Sequence, residues 1–105
     1  MALINLLLAT QLIFSWVPNP ANATNGWNAS CSATVKTSCV SGYWLLETTN
    51  PANPFIAGIP AYAKTYTLTP LPSPGVHTYA LQANGINAQG AMVHSTKALV
   101  TVTVP

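Results

Sequence analysis

Charge is what this sequence has least of. Its 105 residues include no Asp and no Arg, and Lys36, Lys64, Lys97 and Glu47 are its only charged side chains. That is 4% of the chain, where soluble domains carry roughly 25%. Such a surface must be solvated by hydroxyls and amides, or else buried against partners. With a net charge of +2 and no basic cluster, the chain lacks the phosphate contacts on which nucleic-acid binding rests. A lone carboxylate rules out a carboxylate pair, and a Ser-His-acid triad would have to draw its acid from Glu47. There is no Gly-rich phosphate loop, and no helical period appears anywhere along the chain. The expectation is therefore a non-enzyme, with no catalytic residue and no cofactor.

What the chain does have is apolar content. Half of its residues are hydrophobic, which argues against disorder, since disordered chains combine low hydrophobicity with high net charge. The length suits one domain, expected over residues 1–105.

The opening run, MALINLLLATQLIFSWVP, could be a signal, a membrane span or a pair of strands. Ala21-Asn22-Ala23 resembles a cleavage site, but no Lys or Arg precedes the run, so a charged n-region is missing. A membrane helix needs about 20 mostly apolar residues, and this run carries Asn5, Thr10, Gln11 and Ser15. Leu12, Phe14 and Trp16 instead alternate with Gln11, Ile13 and Ser15, the period of a strand with one buried face. Leu3 to Leu8 is a second extended segment, and Pro18 and Pro20 close the pair. Membrane insertion is not expected.

Further strands follow at YWLLETT, at KTYTLTP and at VHTYALQA. The Pro-rich crossing NPANPFIAGIPAYA suits an edge segment, because Pro cannot donate to a ladder. NGINAQG holds the Asn-Gly pair expected of a hairpin, in a loop longer than a two-residue turn, and the chain ends in the alternating ALVTVTVP. About seven strands separated by turns predict an all-β, antiparallel sandwich, with a long Cys-containing loop at 18–41.

The order TQLIFSW, SGYWLLET, PGVHTYALQANGINAQG and ALVTVTVP resembles the fibronectin type III and bacterial immunoglobulin-like modules, from Leu3 to Val104. The resemblance implies that Trp16, Tyr43, Leu45, Tyr79, Leu81 and Ala83 form the core. His77 stands where those modules usually place a Tyr whose hydroxyl pins a corner, which leaves that tie open. The loop between the second and third strands is longer than usual and carries both cysteines.

Cys31 and Cys39 are expected to form a disulfide stapling that loop, which implies an oxidising setting or an exposed particle surface; the alternative is two reduced thiols. Zinc held by these cysteines with His77 and His94 is not expected, because the spacing fits no CxxC pattern and the histidines sit on separate strands. His77 reads as a half-buried strand residue and His94 as a surface one. Asn22-Ala-Thr and Asn28-Ala-Ser are glycosylation patterns that matter only on a glycosylating secretory route.

The faces that should be wet carry the functional signal. Ile4, Leu6, Leu8, Ile13, Trp44 and Leu46 fall on outward positions and are the candidate interface residues. The competing reading is that the chain's own Pro-rich crossing covers the opening strand. Trp27, Trp44 and Tyr62 could stack on sugar rings, so carbohydrate is a candidate ligand. The resulting expectation is a structural or binding module on a virion surface, as a capsid decoration or tail-associated protein of a bacteriophage. Its partners would be capsid, tail or like subunits in an oligomeric assembly. The alternative is a secreted or cell-surface adhesive module or filament subunit.

Overall fold

In a computed structural model, residues 2–17, 30–52 and 54–105 are described. They form eight strands: β1 (Ala2–Leu7), β2 (Leu12–Val17), β3 (Cys39–Glu47), β4 (Phe55–Pro60), β5 (Thr65–Leu68), β6 (Gly75–Ile86), β7 (Met92–His94) and β8 (Ala98–Val104). All strand pairings are antiparallel, in a three-stranded sheet β1-β2-β5 and a five-stranded sheet in which β4-β3-β6 is continued by both β7 and β8. No helix among the described residues is long and apolar enough to cross a membrane.

The alternation of β2 decides how the sheets meet. Leu12, Phe14 and Trp16 all point inward and are buried. Across the interior they meet Tyr43 and Leu45 of β3, Tyr79 and Leu81 of β6, and Val102 and Val104 of β8. Phe14 packs edge-on against Tyr79, with centroids 5.0 Å apart, and Trp16 lies tilted against Tyr43 at 5.4 Å. This is a sandwich-like core with aromatic pairs spanning its two layers. Ala83 is half-buried against the cluster, and the other five expected core residues are buried within it.

The count of eight, against about seven expected, comes from a break in the last strand. β7 pairs with the C-terminal part of β6 and β8 with its N-terminal part, so together they oppose one continuous strand. Between them Ser95 keeps the ladder satisfied. Its N–H donates to the Ala83 carbonyl at 2.8 Å, and its hydroxyl oxygen accepts from the Ala83 N–H at 2.9 Å. The Gln82 side-chain amide adds a bond to the Ser95 carbonyl at 3.0 Å.

The hairpin expected over NGINAQG forms between β6 and β7, but its Asn-Gly pair is not the turn, since Asn84 and Gly85 lie inside β6, paired with His94 and Val93. The turn is made by Asn87 to Gly90 instead. The Asn87 side-chain oxygen accepts from the Gln89 and Ala91 N–H groups, and Gly90 takes a φ of +81° that other residues resist.

The Pro-rich crossing supplies β4, an edge strand that ends at Pro60. It pairs with β3 in the larger sheet, so it does not cover β1. Gly42 lets the two strands approach: a Cβ there would lie 2.9 Å from the Ile59 carbonyl oxygen. Cys31 and Cys39 are joined by a disulfide. Cys39 is not in the loop but is the first, fully buried residue of β3. Beside the bridge the Cys31 N–H donates to the Val40 carbonyl at 2.8 Å.

Candidate binding surfaces

The outer face of the three-stranded sheet follows from β1. Leu3 and Leu7 turn inward against the core, so Ile4 and Leu6 must turn outward, where they are 63% and 56% exposed. Leu8 is exposed just past the strand, where its N–H closes the turn onto the Gln11 carbonyl. Ile13 lies directly opposite Leu6 in the ladder and is half-buried, because Leu6 on one side and Thr67 on the other lean over it. None of the three strands contains a charged residue.

On the opposite side, the outer face of the larger sheet carries Trp44, 40% exposed. Its ring runs edge-on to Phe55 at 6.3 Å and lies tilted beside His94 at 5.3 Å. Leu46, expected outside, is half-buried because it sits between Phe55 of β4 and Ala80 of β6 in register. Trp44 pairs with Gly58 on one side, and Gly42 pairs with Asn84 on the other. Two adjacent ladder positions therefore have no side chain, and the sheet surface dips there. The hollow has a volume of about 360 Å³ and is lined among others by Ser41, Trp44, Pro60, Asn84 and Met92. Asn84 is the one buried polar residue of the described chain, 7% exposed, and its side-chain oxygen accepts from His94 Nδ1 at 2.6 Å. His94 itself is exposed, as the sequence suggests.

The third arrangement is ionic. Glu47 ends β3 and His77 lies near the start of β6, and the β3–β6 register brings them together. His77 Nδ1 donates to Glu47 Oε2 at 2.7 Å, and Nε2 donates to the Ser73 carbonyl at 2.6 Å. Both ring nitrogens thus face acceptors, which requires the doubly protonated imidazolium. The bond to Glu47, then that to Ser73, raises the His77 pKa above its ordinary value. Burial alone would raise the Glu47 carboxyl, but hydrogen bonds from His77 and from the Thr49 hydroxyl, at 2.7 Å, outweigh it and hold it below. The Tyr79 ring stacks on His77 at 6.2 Å; burial, with the Glu47 charge added, pushes its hydroxyl up to about 12.

This acid–His pair has no nitrogen left for a nucleophile, since a backbone carbonyl occupies the second one. What it does is tie the 73–77 corner to the end of β3. Sequence reading gave no sign of this pairing, because the partners are 30 residues apart.

Of the remaining candidates, Tyr62 is exposed in the turn after β4 and makes no ring contact with Trp44. Trp44 lies within a strand rather than a loop. Trp27, Asn22 and Asn28 lie outside the described residues. No group of metal-ligating side chains forms among the described residues, and the two sulfurs are spent on each other. Nothing local in the sequence singles out the exposed Phe55 and Met92 or the buried Asn84. Alternation alone flags Phe55 and Met92 only as strand residues, and Asn84 is hidden inside the Asn-Gly turn signal.

The chain matches no known family model, no characterised protein and no solved structure.

Proposed function

We propose that this chain is a non-catalytic structural module, of the fibronectin type III or immunoglobulin-like kind, that attaches to a larger protein assembly through the outer face of β1-β2-β5. A virion surface is the setting we favour. The fold assignment draws support from the two facing antiparallel sheets, with β7 and β8 counted as one broken strand. It is also supported by the His77 ring bonding a carbonyl four residues upstream, the job a Tyr hydroxyl does at the corner of such sandwiches.

One observation carries the attachment: Ile4 and Leu6 stand exposed on adjoining outward positions of an uncharged sheet, with Leu8 beside them. Scattered apolar residues on a surface mean little, but a row of them on one sheet face marks an interface. The scarcity of charge across the whole chain also suits a packed assembly better than a free, concentrated monomer.

The test is density-gradient fractionation of the native source material beside a strain carrying Ile4→Ser and Leu6→Ser. Wild-type chain should travel with nucleic-acid-containing particles, and the variant should stay behind while still folded. Wild type and variant both travelling with the particles would overturn the assigned face, and both remaining at the top as monomer would overturn the proposal. The disulfide favours a second reading, a secreted adhesive module or filament subunit, because such bonds persist in oxidising compartments. Recovery in nucleic-acid-free fibres would select it.

A further inference from the structure

We infer that the hollow beside Trp44 is a binding site for a neutral sugar ring. Its position on the outer face of β4-β3-β6-β7 puts it on the opposite side of the sandwich from Ile4 and Leu6. Ligand binding there and attachment through β1 can therefore succeed or fail separately.

The floor is largely apolar. Gly58 lies directly across from Trp44 and Gly42 two residues back along β3, so neither raises a side chain beside the indole, while Gln82 is its neighbour on β6. Phe55, edge-on, and His94 flank the ring at the margin of the hollow. An indole face of this kind stacks against the C–H face of a sugar ring, and it is sufficiently exposed to do so. At about 360 Å³ the hollow lies at the low end of small-ligand sites, the scale of one ring rather than of a long chain.

Asn84 gives the site its polarity. Its oxygen is taken by His94, while its amide nitrogen makes no hydrogen bond to another described residue, is not sealed from solvent, and belongs to a side chain that lines the hollow. With His94 Nδ1 turned to Asn84, Nε2 is the ring nitrogen left free of that bond, beside the same indole. Ser41 adds a hydroxyl on the rim. The set is one amide donor and one hydroxyl around an indole floor, with the His94 imidazole at its margin, which suits the hydroxyls of a sugar ring.

The same set rejects other chemistries. None of Lys36, Lys64, Lys97 or Glu47 lines the hollow, so an ionic ligand would lose hydration without gaining a counter-charge. A purely apolar ligand would seal the Asn84 amide away from water with nothing to bond.

The experiment is an NMR titration of the full, oxidised chain with maltohexaose, cellohexaose, chitohexaose and mannohexaose, following the Trp44 indole N–H and the Asn84 side-chain amide. At least one of these sugars should shift both signals together in a saturable way, with millimolar affinity. Trp44→Ala, read by its own backbone spectrum for folding, should weaken that binding on the order of tenfold or more. Asn84→Ser, read by its own backbone spectrum for folding, should weaken it as well. Failure of all four sugars to move either signal would overturn the inference, as would shifts that survive Trp44→Ala. A deca-proline peptide moving the two signals where the sugars do not would replace a sugar by a proline-rich chain as the occupant.

Discussion

Raising the pH should loosen this protein, and the loss should trace to a single ion pair. His77 is raised by its bonds to Glu47 and Ser73, so its contribution is complete below its unfolded value near 6.5 and fades as pH climbs through the folded value. Glu47 is lowered, so its contribution is complete above the ordinary value of 4.5 and fades as pH falls through the folded value. Stability should therefore plateau between about pH 4.5 and 6.5 and decline on both sides. A hydrogen bond to a charged group contributes roughly 1.5–3 kcal/mol when sheltered, and an exposed ion pair roughly 0.2–1 kcal/mol. With side chains 12% and 18% exposed, the pair falls between those limits, at about 1–2 kcal/mol. For a domain of this size each kcal/mol moves the thermal midpoint by about 4–8 °C, well within reach of circular dichroism melts. The chain has no second carboxylate side chain, so the acid limb of the profile is unusually clean. Glu47→Gln should remove most of the dependence on both limbs. A wild-type midpoint unchanged from pH 6 to 9, or an equal slope in Glu47→Gln, would refute the reasoning.

Three further outcomes follow from the packing. Gly42→Ala places a methyl 2.9 Å from a backbone oxygen of β4, which cannot swing aside; urea unfolding should record a loss of about 1–3 kcal/mol. Reducing Cys31–Cys39, or replacing both with Ser, opens a loop closed over a sequence separation of 8; chain entropy alone makes that worth roughly 2–3 kcal/mol, readable as a lower urea midpoint. Tyr79→Phe keeps the ring packed on Phe14 but removes a buried hydroxyl that has no partner among the described residues. It should be neutral or stabilising by up to about 1 kcal/mol in the same assay, and a clear loss would mean the hydroxyl is bonded after all.

The strands that alternate cleanly were legible without coordinates. Leu12, Phe14 and Trp16 had to share one face, and the all-β, antiparallel character followed from many such runs with no helical period. Other features resisted because the residues that encode them carry no local mark. Ser95-Thr-Lys97 contains no Gly or Pro, yet it breaks the last strand, because Ser95 can bond both backbone groups of Ala83 with its own N–H and hydroxyl. The Asn-Gly pair reads as a turn but is part of β6, since Asn87 and Gly90, three and five residues on, make the better turn.

Sequence by itself determined which side chains turn inward along each strand, and how little charge is left to solvate the outside, because both depend only on period and composition. Tertiary structure alone decided which outward residues stay bare. Ile13 and Leu46 share the parity of Ile4 and Trp44, but cross-strand neighbours shelter them. It alone joined Glu47 to His77 and set Asn84 and His94 beside Trp44. Strand register brings those groups together, and register is a property of pairs of strands rather than of any one segment.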